Sequence, residues 1–342
     1  MEGLSLQDTD VKVNTLIFLG TGTSSQVPTI GCLTNPDSRC RVCPSALHVE
    51  TQKNRRRNTS ALLTLSNEKN ILIDCGKSFF EMALQIWPRA RLRKIDALLL
   101  THAHADAMLG LDDLRGWTLG RFIQDSIPIY CSRTTFDAVK AMFPYMIDSD
   151  KATGGGDIPA FDWHIIDEDK SFWVKSCGIT VEALKVEHGC YFDEARTPFI
   201  CLGFKVGSVS YISDASSIPE STKKKVEDSR VLILDALKRT PHASHFSIPE
   251  ALSFIKALDK PADRTLLIDF THDIEHYELE KSLKETEELD ISPAFDGQCL
   301  DLRGVEIKET DLLADLPWKA VSEQVRGDLP PKSGSEKVKS MV

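Results

Sequence analysis

The stretch running from Ala97 to Asp106, ALLLTHAHAD, constrains this chain more than any other. Four apolar residues in a row, bounded by charged and polar positions, make a short buried strand. Along an extended strand, residues i and i+2 point the same way. His102 and His104 therefore present their imidazoles to one side, and Asp106 continues that face as the chain leaves the strand. A lone histidine is ordinarily a satisfied polar group. Two histidines and a carboxylate in strict alternation at the mouth of a buried strand form a metal-ligand pattern. Imidazole with carboxylate suits Zn²⁺, with Mn²⁺ or Fe²⁺ as alternatives.

The surrounding sequence places this strand in a sandwich. VNTLIFLG (13–20) is an apolar strand ended by the Gly20-Thr21-Gly22 turn, and SALLTLSNEKNILIDCG (60–76) has the pattern of a hairpin. KSFFEMALQIWP repeats apolar residues at helical spacing and is expected to stop at Pro88. TPFICLGFKVGSVSYISDAS (197–216) is a second hairpin turning at Gly207-Ser208. RVLILDA and RTLLIDFTH are buried strands, and between them Ser247 starts a helix with Pro249 in its first turn. Strands and helices interleave, yet hairpins are frequent, so two mixed sheets fit better than a doubly wound parallel sheet. The expected organisation is a tail at 1–13, one domain over 14–304, and a flexible charged tail at 305–342.

Charge and cysteine content exclude some partners. The chain has 51 acidic and 41 basic residues, a net charge of −10. That opposes a nucleic-acid partner, which calls for a basic face. No apolar run approaches the roughly 20 residues that cross a bilayer. The start MEGLSLQDTD lacks the basic and apolar regions of an export signal. Nine cysteines without such a signal point to thiols in a reducing compartment, the cytoplasm or also the nucleus.

The ordered motifs resemble the metallo-β-lactamase superfamily, whose signature is H-x-H-x-D-H after a buried strand. His188 in ALKVEHGC matches the third histidine, and Asp214 in VSYISDAS matches the aspartate that bridges two metals. LIDCG (72–76) matches the Asp-Gly step, where Asp74 is structural, and AFDGQCLDL matches a closing Phe-Asp-Gly segment. The resemblance spans about 14–304 and implies an α/β fold, an αββα sandwich of two mixed β-sheets flanked by helices. Within the superfamily, LGTGTSSQVPTIGC resembles the opening of the cyclic ribose phosphate phosphodiesterases of the carbon–phosphorus lyase pathway. Such relatives hold a structural zinc on three cysteines and one histidine. Cys32, Cys40 and Cys43 stand in the corresponding loop, with C-x₂-C spacing at 40–43. The other six cysteines, Cys75 and Cys201 among them, are read as ordinary buried packing.

Two positions depart from the pattern. Ala107 stands where the signature has its last histidine, and LIDFTHDIEH stands where relatives carry L-T-H-x-S-H. Aligned without gaps, Asp269 replaces the metal histidine and His272 completes the structural zinc. A three-residue shift would instead make His272 catalytic and leave His276 for the zinc; the ungapped register is preferred. In it the first catalytic site stays whole, with His102, His104, His188 and Asp214. The second keeps Asp106 and Asp214, with Asp269 as a replacement ligand. Either one ion is bound, or a second is held weakly by oxygen and is Mn²⁺ or Mg²⁺ rather than Zn²⁺; the weak second site is preferred, because aspartate is itself a competent ligand.

The resemblance implies a metal-dependent hydrolase of a small or cyclic phosphodiester. Asp106 would orient the attacking water, and His245 would protonate the leaving oxygen. Arg56 and Arg57, in the basic run KNRRRN, are expected to hold the phosphate. The competing readings are a thioester or RNA 3′-end hydrolase and a non-catalytic metalloprotein with a degenerate second site.

Overall fold

A computed structural model describes residues 10–155 and 157–314. Its strands are β1 (Val13–Gly20), β2 (Ser60–Leu65), β3 (Asn70–Ile73), β4 (Ala97–Leu99), β5 (Ile127–Cys131) and β6 (Phe161–Ile165). They continue as β7 (Ser171–Val174), β8 (Ile179–Cys190), β9 (Pro198–Val206), β10 (Val209–Ile212), β11 (Val231–Asp235), β12 (Arg264–Ile268) and β13 (Ile291–Pro293). The series closes with β14 (Gln298–Asp301) and β15 (Lys308–Asp311). One sheet has eight strands in the order β15-β14-β1-β2-β3-β4-β5-β6; the other has seven, β13-β12-β11-β10-β9-β8-β7.

Strand alternation builds the layers. Leu16, Phe18, Leu63, Ile71, Ile73 and Leu99 pack between the sheets against Leu202, Phe204, Tyr211, Ile233 and Leu266. Their chain neighbours Ile17, Leu19, Leu62, Leu72 and Leu98 point the opposite way, onto Phe79, Met82 and Ile86 of the helix Phe79–Arg89. On the second sheet, Leu232, Leu234 and Leu267 meet Ala251 and Ile255 of the helix Ile248–Lys256 and Leu279 and Leu283 of the helix His276–Thr286. The result is the αββα sandwich.

Two boundaries differ from the sequence expectation. The helix Phe79–Arg89 runs through Pro88 rather than stopping there, because a missing amide in the last turn removes only one hydrogen bond. The expected tail from 305 is also ordered in part. Strand β15 pairs antiparallel with β14, from Lys308–Asp301 to Asp311–Gln298. Its side chains are mostly exposed, so an edge strand there has the charged composition of a tail. Residues 1–9 and 315–342 of the two expected tails lie outside the described residues.

Topology decides where function can sit. β10, β11 and β12 run parallel, so their carboxyl ends share one edge. Asp214 follows β10, Asp235 ends β11, and Asp269 follows β12. His188 lies near the end of β8, and Thr101–His104 leave β4 toward the same edge, where the Leu202 amide donates to the Thr101 carbonyl across the sheets (3.0 Å). Gly76 permits the approach of the next turn, since a Cβ there would collide with the Asp106 carbonyl.

The basic run does not do what the sequence suggests. Arg56 is fully buried and donates to the carbonyls of Thr271 (3.0 Å) and Ile274 (2.7 Å). Arg57 donates through Nη1 to Asp296 Oδ2 (3.2 Å) and through Nη2 to Glu81 Oε1 (2.6 Å). Asp296 Oδ1 in turn accepts from the amide and hydroxyl of Thr21 (3.0 and 2.9 Å). The terminal nitrogens of both arginines are thus occupied in clamping loops, and neither is placed to hold a substrate phosphate. The Arg57–Asp296 pair is buried on both sides, and removing one partner strands the other charge. Arg57→Met is expected to lower unfolding free energy by about 3–5 kcal/mol, measured by urea titration. Adding Asp296→Asn should recover most of that loss.

Candidate functional site

The ligand atoms of His102, His104 and His188 lie within 4.8 Å of one another, as do those of His188, Asp214 and His245. A hydrogen-bond shell aims the two buried rings. Asp74 accepts from the amide and hydroxyl of Thr101, both at 2.8 Å. With its hydroxyl proton given to Asp74, Thr101 Oγ1 accepts from His102 Nδ1 (2.8 Å). His188 Nδ1 donates to the Ser244 carbonyl (2.6 Å). Each Nε2 is left as the lone-pair donor, the arrangement metal-binding histidines use. His104 is more exposed and stacks on Phe199, with centroids 4.9 Å apart.

Electrostatics support the same reading. Burial pushes the His102 pKa down to about 3 and lowers those of His104 and His188. Burial works against ionised Asp214, but the imidazoles of His102, His188 and His245 overcome it and keep its pKa below the ordinary value. His102 Nε2 and Asp214 Oδ2 are both buried without a hydrogen-bond partner. Orphaned buried donors and acceptors are costly, and a divalent ion would satisfy both. The donor set fits such an ion.

Asp106 is buried in the first turn of the helix Ala105–Met108, its pKa raised by burial and then by Asp214. Ala107 beside it is also buried, its carbonyl accepting from the Cys75 amide (2.8 Å). Asp269 sits at φ +70, its amide donating to the Thr21 carbonyl (2.8 Å). Its Oδ2 lies 3.1 Å from His245 Nδ1, which donates to Asp235 Oδ2 at 3.0 Å. Asp235, His245 and Asp269 form one ligand-atom group; among the described residues, Asp106, Asp214 and Asp269 do not. Burial opposes a charged His245, yet the two carboxylates push its pKa up to about 12. Burial pushes that of Asp235 up to about 6. Asp235 was not expected from sequence, although RVLILDA has the same apolar-run-then-aspartate form as YISDA and LLIDF.

A second cluster lies apart from this one. The ligand atoms of Cys32, Cys40, Cys43 and His272 fall within 4.8 Å of one another. His272 Nδ1 is 3.3 Å from Cys32 Sγ and 3.4 Å from Cys40 Sγ, and Cys43 Sγ accepts from the Thr29 amide (3.3 Å). His276 is elsewhere, buried with its ring 5.8 Å from that of Phe295. The geometry therefore has His272, in the ungapped register, beside the thiols.

The beta-lactamase superfamily domain matches residues 69–270, more than half of the chain. The chain belongs to the beta-lactamase superfamily. Its two-sheet sandwich is the metallo-β-lactamase fold, which in other superfamily members holds divalent ions such as Zn²⁺. A crystal structure of a new diphosphatase from the PhnP family superposes with a TM-score of 0.68 at 30% identity, covering 84% of this chain and 98% of that one. Octanoyltransferase of Porphyromonas gingivalis is 31% identical over 296 residues, 86% of this chain and 53% of that protein. Ribonuclease Z of Bradyrhizobium diazoefficiens is 41% identical over 87 residues, 25% of this chain and 28% of that enzyme. The chain thus spans about half the length of the octanoyltransferase, and its match to ribonuclease Z covers 28% of that enzyme.

Two measurements test this superfamily member's second cluster and its neighbour. Cys40→Ser should remove one equivalent of zinc by elemental analysis and lower the melting temperature, whereas His276→Phe should leave metal content unchanged. Burial, then Arg56 and Lys53, hold the His276 pKa well below 6.5. The unfolded chain protonates this histidine first, so stability present above pH 6.5 is lost as pH falls through that value toward the folded pKa. His276→Phe should flatten the dependence of urea midpoint on pH in that window; an unchanged slope would refute the assignment.

Proposed function

We propose that this chain is a metal-dependent hydrolase of small phosphoric esters or anhydrides, cyclic diesters included, with one catalytic ion and one structural zinc. The observation that carries the reading is the convergence of His102, His104, His188 and Asp214 around buried atoms that have no other partner. These four would hold the catalytic ion; Cys32, Cys40, Cys43 and His272 would hold the zinc. A divalent ion supplies Lewis acidity to a phosphoryl oxygen and lowers the pKa of water. The residues do the rest. Asp106, buried beside Asp214, orients the attacking water and accepts its proton. His245 keeps its Nδ1 proton on Asp235 and gives the Nε2 proton to the leaving oxygen.

A second ion, Mn²⁺ on Asp106, Asp214 and Asp269, is the weaker arrangement. Asp269 Oδ2 faces His245 at 3.1 Å, and a cationic imidazolium there takes the place of a second positive charge. The substrate is taken as a small molecule because a net charge of −10 disfavours a polyanionic chain. The local match to ribonuclease Z favours RNA 3′-end hydrolysis as the second reading, but over 87 residues only. The name octanoyltransferase belongs to a protein of which this chain spans 53%, so acyl transfer is not carried over. No described helix is long and apolar enough to cross a membrane. All nine cysteines are free, which supports a reducing compartment, cytoplasmic or nuclear.

Elemental analysis should give about two ions per chain, since each complete ligand set binds one. Ala107→His with Asp269→His should add a third. His104→Ala should lose the catalytic ion and hydrolysis of bis(4-nitrophenyl) phosphate while keeping the zinc; undiminished turnover would sink the mechanism. His245→Ala should slow alkyl-ester cleavage by about 10²–10⁴-fold and affect the 4-nitrophenyl ester far less, because nitrophenolate leaves without a proton.

A further inference from the structure

The three converging histidines are not held alike. His102 and His188 are buried, and an oxygen fixes the Nδ1 of each, the Thr101 hydroxyl at 2.8 Å and the Ser244 carbonyl at 2.6 Å. Metal-binding histidines nearly always engage their second ring nitrogen in this way, which sets ring angle and tautomer together. His104 is exposed, and among the described residues no hydrogen bond engages either of its ring nitrogens. Its main chain is fixed, because its carbonyl accepts from the amides of Ala107 (3.1 Å) and Met108 (3.2 Å) at the start of the helix Ala105–Met108. Rotation of the imidazole about its side-chain bonds is what these hydrogen bonds leave open.

One aromatic face restrains that rotation. The ring of Phe199 lies nearly parallel to that of His104, at an interplanar angle of 13° and a centroid distance of 4.9 Å. His102 and His188 meet His104 edge-on, at 83° and 64°, but they belong to the same ligand group, so Phe199 is the support from outside it. Phe199 is itself anchored. It comes from β9 in the opposite sheet, and the Leu202–Thr101 hydrogen bond joins the two sheets three residues from Phe199 and three from His104. Tyr191 meets the Phe199 ring edge-on, with centroids 5.4 Å apart, and the Tyr191 amide donates to the Thr197 carbonyl (2.8 Å), closing the hairpin behind it. Aromatic rings at these separations favour particular relative orientations. An exposed side chain without such a restraint loses rotamer freedom when it is fixed on a ligand, and affinity falls accordingly.

We propose that Phe199 is a positioning residue of the ion site, its ring aligning the His104 imidazole in place of the hydrogen bond that His102 and His188 each have. The proposal rests on the reading above that His102, His104, His188 and Asp214 hold one ion. Within that group, the two buried histidines are set by oxygen atoms and the exposed one by stacking. The first sheet supplies His104, and the second sheet supplies its orientation. What matters is then the flat face of the ring rather than its apolar volume. Leucine has similar bulk but no such face, whereas tyrosine keeps the face and adds only a hydroxyl.

The test is Zn²⁺ affinity, measured by competition with a chromophoric chelator, with the zinc retained by His104→Ala marking the thiol-cluster equivalent. Phe199→Leu should weaken binding at the histidine site by about three- to tenfold, the range an aromatic pair contributes, while the thiol-cluster zinc stays in place. Phe199→Tyr should bind Zn²⁺ as the wild-type protein does. Since the loss is in ion affinity, hydrolysis of bis(4-nitrophenyl) phosphate by Phe199→Leu should recover at saturating Zn²⁺, with KM unchanged. Equal affinity in the wild-type protein and Phe199→Leu, or an equal loss in the leucine and tyrosine variants, would overturn the proposal. Loss of the thiol-cluster zinc in Phe199→Leu would also overturn it, by showing a general packing defect. A wild-type protein holding no ion beyond the thiol-cluster zinc would refute the ion-site reading, and this proposal with it.

Discussion

Burial of like charges at one sheet edge is the constraint on which the rest of this structure turns. Asp74, Asp106, Asp214, Asp235 and Asp269 are all buried there, because parallel strands deliver their carboxyl ends to one place. Isolated buried carboxylates are among the most expensive groups a protein can hold. Each is compensated differently. Asp74 accepts two hydrogen bonds from Thr101, Asp235 and Asp269 share His245, and Asp214 is ringed by imidazoles. What remains without a hydrogen-bond partner there, at His102 Nε2, Asp214 Oδ2, Asp235 Oδ1 and Asp269 Oδ2, is a demand for positive charge.

That balance explains why Ala107 and Asp269 belong together. With alanine at 107 and aspartate at 269, the edge has two fewer imidazoles and one more carboxylate than the superfamily signature. His245 then supplies the positive charge that the extra carboxylate needs, and its pKa is pushed up to about 12. Under the proposed function, an imidazolium stands beside Asp269 where a second ion would otherwise be needed.

The thiol cluster ties the loop after β1 to the strand ends. Cys32, Cys40 and Cys43 lie on a loop with a small apolar cluster of its own, Val27, Val42, Cys43 and Ala46. So small a cluster cannot hold a long polar loop by burial alone. Joining it to His272 beyond β12 ties that loop to the strand end carrying Asp269, and Arg56 reinforces the tie from the carbonyl side.

Sequence alone was sufficient for what depends on local periodicity. His102 and His104 were legible because alternation at a strand end puts side chains two residues apart on one face, whereas Asp106 lies in the helix Ala105–Met108 and forms no ligand-atom group with them among the described residues. The two hairpins and the helix start were legible for the same kind of reason, and Ser247 does form a capping box with Glu250. Tertiary structure alone decided every partner chosen across the fold. The ungapped register already preferred His272 over His276, and the fold brings it to thiols more than two hundred residues away. Arg56 and Arg57 turn inward to carbonyls and carboxylates rather than outward to a substrate. Asp235 joins His245, and the charged segment Lys308–Asp311 becomes an edge strand because β14 offers it a ladder. Periodicity is a property of neighbouring residues, whereas a buried charge is paired by whichever group the packed sheets bring within reach.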